Sequence, residues 1–243
     1  FRRVLFRSYA ESWNLNLQQL IAGNWVAEAS YFGSKIVGAD DSTYYNVPAP
    51  GPGPIAARRP NPNLSGFQVV HWGGYSNYHA MNLKLERRLT AGLALNVNYT
   101  WSKSTDAASS PGPTFSETNF PQDVYNRTAE HALSSFDHRH RLAFSFTWEL
   151  PKGFALQGLG TFQTGAPFTV NLPSDNANIG AGPAQRPDVL RDPNLDNRTP
   201  DHWFDTSAFI MPKQFTFGNA GRNIVFGDGV TNVDVSAQKL FKL

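Results

Sequence analysis

Two clusters hold the residues whose types and spacing could do chemistry. In Asp137-His138-Arg139-His140, imidazoles separated by one residue would share a face of an extended strand, and with His131 nearby His138 and His140 are candidate metal ligands. Arg139 and Arg141 set cations beside that would-be cation site, so the competing reading is a rim of hydrogen bonds and ion pairs where a loop enters a strand. Arg186, Arg191 and Arg198, interspersed with Asp188, Asp192 and Asp196, are candidate ligand contacts because loops carry recognition. The alternative for them is ordinary packing of a mixed-charge loop stiffened by Pro187 and Pro193. Signatures for a serine nucleophile, a zinc protease, a phosphate loop or a dinucleotide do not occur. With zero cysteines there are no thiol nucleophiles and no zinc-cysteine sites. The expectation is a non-enzyme with no cofactor.

Whatever these loops do, alternating segments must position them. Over 92–102, Leu93, Leu95, Val97, Tyr99 and Trp101 fall on one face of a strand, and Ala94, Asn96, Asn98, Thr100 and Ser102 on the other. That length suits a tilted strand crossing a bilayer, about 9–11 residues, and exceeds the usual globular strand. The same alternation recurs at 9–21, 25–35, 77–89, 139–150, 154–163 with a possible extension over 168–170, and 232–243, predicting seven strands. Tight turns are expected at 22–24, 90–91 and 151–153, and long Pro-, Gly- and Asn-rich loops at 36–76, 103–138 and 172–230.

Short turns at one end and long loops at the other imply an all-β, antiparallel, up-and-down transmembrane β-barrel segment, with periplasmic turns and extracellular loops. Aromatics agree: Trp13, Tyr31, Tyr99 and Trp101 fall near the long-loop ends, and Trp25, Trp148 and Phe154 near the short-turn ends, as two interfacial girdles would. Leu93, Val97, Phe144 and Phe146 should then face outer-membrane lipid, and Asn96, Asn98, Ser145 and Thr147 a wet lumen. A soluble secreted β-domain with the apolar face inward would show the same alternation. Charged residues make up 16% of the chain, and no apolar run is long enough for a membrane helix. Lys plus Arg, 21, nearly balances Asp plus Glu, 19, so no nucleic-acid partner is expected. Residues 1–8 resemble a translated sequencing adapter and are expected to be a non-native tail, with 9–243 as the partial barrel.

Several motifs resemble the TonB-dependent outer-membrane receptors of the Oar-like group. They are Ser76-Asn-Tyr-His-Ala80, Leu85-Glu-Arg-Arg-Leu89, Asn98-Tyr-Thr-Trp-Ser-Lys-Ser104, Leu133-Ser-Ser-Phe-Asp-His-Arg-His-Arg141, Glu149-Leu-Pro151 and Phe217-Gly-Asn-Ala-Gly-Arg-Asn223. The resemblance implies a barrel of about 22 strands with a plugged lumen. It also implies a solute bound at extracellular loops, and import powered through TonB, engaged by an N-terminal part that the sequence read here does not include. On that reading the chain is a fragment of such a receptor in the outer membrane of a Gram-negative bacterium. A passive porin or surface adhesin barrel would share every strand feature. No loop residue selects a solute.

Overall fold

The computed structural model describes residues 8–110, 112, 118–180 and 184–241. The adapter-like octapeptide, apart from Ser8, lies outside the described residues, as do 242–243 at the end of the last expected strand.

Seven long strands form one antiparallel sheet in sequence order: β1 (Tyr9–Ala22), β2 (Trp25–Tyr45), β3 (Phe67–Thr90), β4 (Leu93–Asp106), β5 (His140–Leu150), β6 (Phe154–Gln163) and β7 (Val230–Lys239). The sheet is open, with β1 at one edge and β7 at the other. Its register carries the alternation from strand to strand. One face has the row Leu17, Ala29, Leu83, Tyr99, Leu142, Phe162. The opposite face has the neighbouring row Gln18, Glu28, Lys84, Asn98, Ala143, Thr161, Asn232. The sets Leu93, Val97, Phe144, Phe146 and Asn96, Asn98, Ser145, Thr147 thus fall on opposite faces because each strand enters the ladder in phase.

The tight connections work through backbone geometry. Ala91 and Gly92 both adopt positive φ, 49° and 78°, the requirement of a two-residue turn whose twist matches its strands, so Gly92 belongs to the turn and not to the strand. On the apolar face, Phe146 lies across Gly158 and Phe144 across Gly160, each ring occupying the space where a Cβ would stand. Glycine in a strand interior here makes room for a neighbouring aromatic ring.

The long connections and the strand ends beside them depart from expectation in four places. Residues 36–45 and 67–76 are strand, extending the β2–β3 hairpin well past the sheet's rim and leaving 46–66 as the loop. These flanks contain no proline, which is confined to the middle of the connection, and register shifts around Ala39 re-aim the ladder. β4 likewise continues past Ser102 to Asp106, where Ala132–Leu133 pairs with it. Residues 168–170 do not extend β6: the chain breaks at 164–166, and Pro167–Phe168 pairs instead with Val225–Phe226. Gly165 packs directly against the carbonyl of Gly227 at this break. Gly165→Ala is therefore expected to cost about 1–3 kcal/mol by overpacking, read as faster amide exchange at Val225 and Phe226 with exchange in β4 unchanged.

The stretch expected as one irregular loop at 172–230 carries local ladders, Asp188–Val189 with Phe209–Ile210 and Asn194–Thr199 with His202–Phe204. The buried apolar cluster lies here too: Val47, Ala177 and Ile179 pack with Tyr44, Val124 and Phe217. In the wall, by contrast, Leu17 is 67% exposed and Val235 66% exposed. Among the described residues none covers the apolar face of the sheet, whereas a soluble barrel or sandwich would bury that face.

Candidate functional site

The polar face of the sheet and the loops above it form a continuous polar system. Along the wall, Asn16 donates to Glu28 at 2.8 Å, Lys84 pairs with Glu86 at 2.8 Å, and Thr100 donates to Asn82 at 2.8 Å. Farther up β4 the same face presents Ser102, Ser104 and Asp106, which are buried, while Trp101 just before them on the other face is 50% exposed. The described residues of the long loops therefore fold over the polar face and not over the apolar one.

What holds this cap is hydrogen bonding to buried charge. Arg186 donates to both carboxylate oxygens of Glu130, at 2.7 and 3.0 Å, and through Nε to the Ala220 carbonyl at 2.8 Å. Gln122 completes the node: its Oε1 accepts from the Arg186 amide at 3.0 Å and its Nε2 donates to the Gly218 carbonyl at 2.9 Å. Arg222 pairs with Asp106 at the end of β4 and donates to the Glu130 carbonyl at 2.8 Å. Two-point guanidinium–carboxylate contacts fix orientation as well as proximity. The first loop is joined as well, since Tyr125 donates to the Val47 carbonyl at 2.6 Å and Asn178 to the carbonyls of Gly51 and Gly53, both at 2.9 Å. Arg127 reaches the extended hairpin, pairing with Asp41 and contacting His71, and burial lowers its pKa.

A cavity of about 710 Å³ opens among these loops, lined by His131, Leu190, Arg191, Asn194, Asn223 and Phe226 with their neighbours. The three candidate arginines have separate surroundings. Arg186 is buried on Glu130, a partner outside its own stretch of sequence. Arg191 lines the cavity, exposed, and binds Asp205 at 2.6 Å and the Ser207 hydroxyl at 2.6 Å. Arg198 donates to the carbonyls of Leu195 and Phe226, both at 2.9 Å, and lies over Trp203. The two candidate histidines are also apart in their bonding: Nδ1 of His138 meets the Thr164 carbonyl at 2.8 Å, and Nδ1 of His140 the Tyr99 hydroxyl at 2.7 Å. Among the described residues no group of three or more potential ligands is placed to hold a metal ion.

Glu130, Asp106, Gln122 and Arg222 were not singled out as site residues by sequence reasoning, although Arg222 stands in a motif quoted above. For the three charged residues a usable signal was present: isolated charges inside turn-rich segments of a charge-poor chain.

The Asp205 carboxyl is held below its ordinary value of 3.8 by the Ser207 hydroxyl and by Arg191. A depressed carboxyl contributes stability that is full above the unfolded value and is lost as pH falls through the folded one. Local order around 205–207 is expected to fail only below about pH 4, and Asp205→Asn to remove that acid dependence, both followed by amide exchange at Ser207.

A family profile described as Outer membrane beta barrel domain matches residues 2–243. The chain belongs to that family. This outer membrane barrel chain accordingly sits in the outer membrane, its wall in contact with lipid. A search of curated protein sequences finds no match. Among solved structures the barrel chain is similar to the outer membrane transporter YddB from Escherichia coli, with 13% identity and a TM-score of 0.46 over 71% of this chain and 23% of that one. It thus spans about a quarter of that transporter's length.

Proposed function

We propose that the chain forms part of the wall and outer cap of a TonB-dependent receptor that binds a solute at its extracellular loops and imports it with TonB-coupled energy, without enzymatic chemistry. The observation carrying this reading is the interlocked cap: the second and third long connections tied by buried guanidinium–carboxylate contacts, with the first joined to them by hydrogen bonds, over a polar wall and around a cavity of about 710 Å³. Ordered recognition loops above a polar lumen suit selective capture better than free diffusion. The resemblance of the motifs to Oar-like receptors supports coupling to TonB in the whole protein.

The sheet edges support a larger barrel. Unpaired ladder groups cost several kcal/mol each in hydrocarbon, so β1 and β7 both need further strands beside them. They run in the same direction, since seven strands alternate in one path. Antiparallel closure therefore takes an odd number of additional strands, as a barrel of about 22 provides.

The test is solute uptake by cells carrying the complete gene, with and without TonB. Uptake and growth on the solute are expected to collapse when TonB is deleted. Uptake that persists unchanged would make the protein a passive porin, and absence of uptake with retained surface binding an adhesin.

A further inference from the structure

The polar side chains around the cavity of about 710 Å³ in the cap are turned into its own wall. Asn194 donates to the Asp192 carboxylate and to the Ile224 carbonyl, both at 2.8 Å, while its Oδ1 accepts from the Phe226 amide at 3.1 Å. Asn223 donates to the Leu133 carbonyl at 2.7 Å and accepts from the Thr169 hydroxyl at 2.9 Å. Arg191 is held by Asp205 and Ser207, and Arg222 by Asp106 and the Glu130 carbonyl. The surface these groups leave for a ligand is apolar: Leu133, Leu190, Pro193, Ile224 and Phe226. Leu190 is 60% exposed although it stands in the cap, outside the lipid-facing wall.

The apolar wall is also formed in advance. The Phe226 carbonyl accepts from Arg198 at 2.9 Å and from the Trp203 indole at 2.8 Å, so with its amide on Asn194 the residue is held at both backbone groups. One polar group on the same lining keeps free capacity. Exposed Asp192 takes the Asn194 amide and side chain on Oδ1, at 2.9 and 2.8 Å. These bonds, with the charge of Arg198, hold its carboxyl below the ordinary 3.8. Among the described residues no cation forms an ion pair with it.

We propose that the cavity seats an apolar group of the solute, aromatic or branched aliphatic, on Leu133, Leu190, Ile224 and Phe226, and that an ammonium beside that group meets Asp192. The volume suits a small organic ligand, and an apolar wall with few convergent polar groups is how such ligands are held. Water against these side chains lacks hydrogen-bond partners, so its displacement favours the complex. The proposal rests on the import reading and names its solute class: hydrophobic amines, against free sugars and polyanions.

Methyl NMR of the complete receptor in lipid nanodiscs, titrated with phenethylamine, tests it, with ethylamine, hydrocinnamate and glucose as comparisons. Saturable shifts are expected at Leu133, Leu190 and Ile224, while Leu83 on the lipid-facing wall reports partitioning into the bilayer. Binding should be at least about tenfold weaker for ethylamine, which lacks the ring, and about threefold weaker in Leu190→Ser. Hydrocinnamate, with the ring but a carboxylate, should bind more weakly than phenethylamine, a preference lost in Asp192→Asn. Glucose binding as tightly as the amine, shifts at Ile224 that only follow those at Leu83, or a charge preference unchanged in Asp192→Asn would each overturn the proposal. Amide exchange in β4 separates loss of the site from loss of the fold. The titration needs no TonB, so a cavity that ignores the amine leaves the import reading standing, whereas TonB-independent uptake would sink that reading without touching the cavity's preference.

Discussion

Arg186→Ala is expected to cost about 3–5 kcal/mol of the stability of the loop cap, because it strands the Glu130 carboxylate in a site only 4% exposed. Gln122 and its neighbours cannot neutralise that charge: the remaining polar contact is the Gln122 amide at 3.1 Å, one hydrogen bond where there were three. The pair replaced together, Arg186→Met with Glu130→Leu, should recover most of the loss, since two desolvation penalties disappear with the attraction. Arg191→Ala breaks a pair whose arginine side chain is 53% exposed and should cost no more than about 1 kcal/mol. Limited proteolysis of 118–139 and 184–229, calibrated against urea unfolding, measures all three. If Arg186→Ala left the cap as resistant as Arg191→Ala does, Glu130 would have to reach water, and the cap would be a loose assembly.

The second large effect lies in the wall. Val97→Arg should destabilise the barrel in lipid vesicles by about 2–4 kcal/mol, the cost of an arginine near the bilayer midplane. Val97 sits between Leu85 and Phe144 on the bare apolar face. Leu95→Arg, between Arg87 and Phe146, lies nearer the short-turn rim and should cost less than Val97→Arg. Asn96→Arg, one residue along, points to the polar face between Glu86 and Ser145 and should be nearly silent. Urea unfolding from vesicles reports the series directly. Equal tolerance at Val97 and Asn96 would mean that both faces of β4 are wet.

The wall was largely legible before any coordinates. A side-chain period of two states which residues share a face, and a tight turn such as Ala91-Gly92 holds the register, so Leu95, Val97, Phe144 and Phe146 could be grouped from local pattern alone. Local pattern failed where the strands leave the membrane. At 36–45 and 67–76 the hairpin continues with Gly, Asp, Ser and Tyr, residues that also fill loops, and only cross-strand partners distinguish the two states. It failed again at Phe168, whose partner Val225 is distant in sequence.

The candidate site divides in the same way. Arg186 was recognisable as a charged loop residue, but its neighbours Asp188, Asp192 and Asp196 made local pairing look sufficient. Its partner proved to be Glu130, in another loop, with Gln122 and Ala220 closing the node. The sequence by itself determined an alternating wall, its two faces and the end at which the long loops lie, because strand geometry is local. Tertiary structure alone decided which charges are buried together and where the loops fold, because those depend on contacts between segments remote in the chain, and burial sets the strength of each charge.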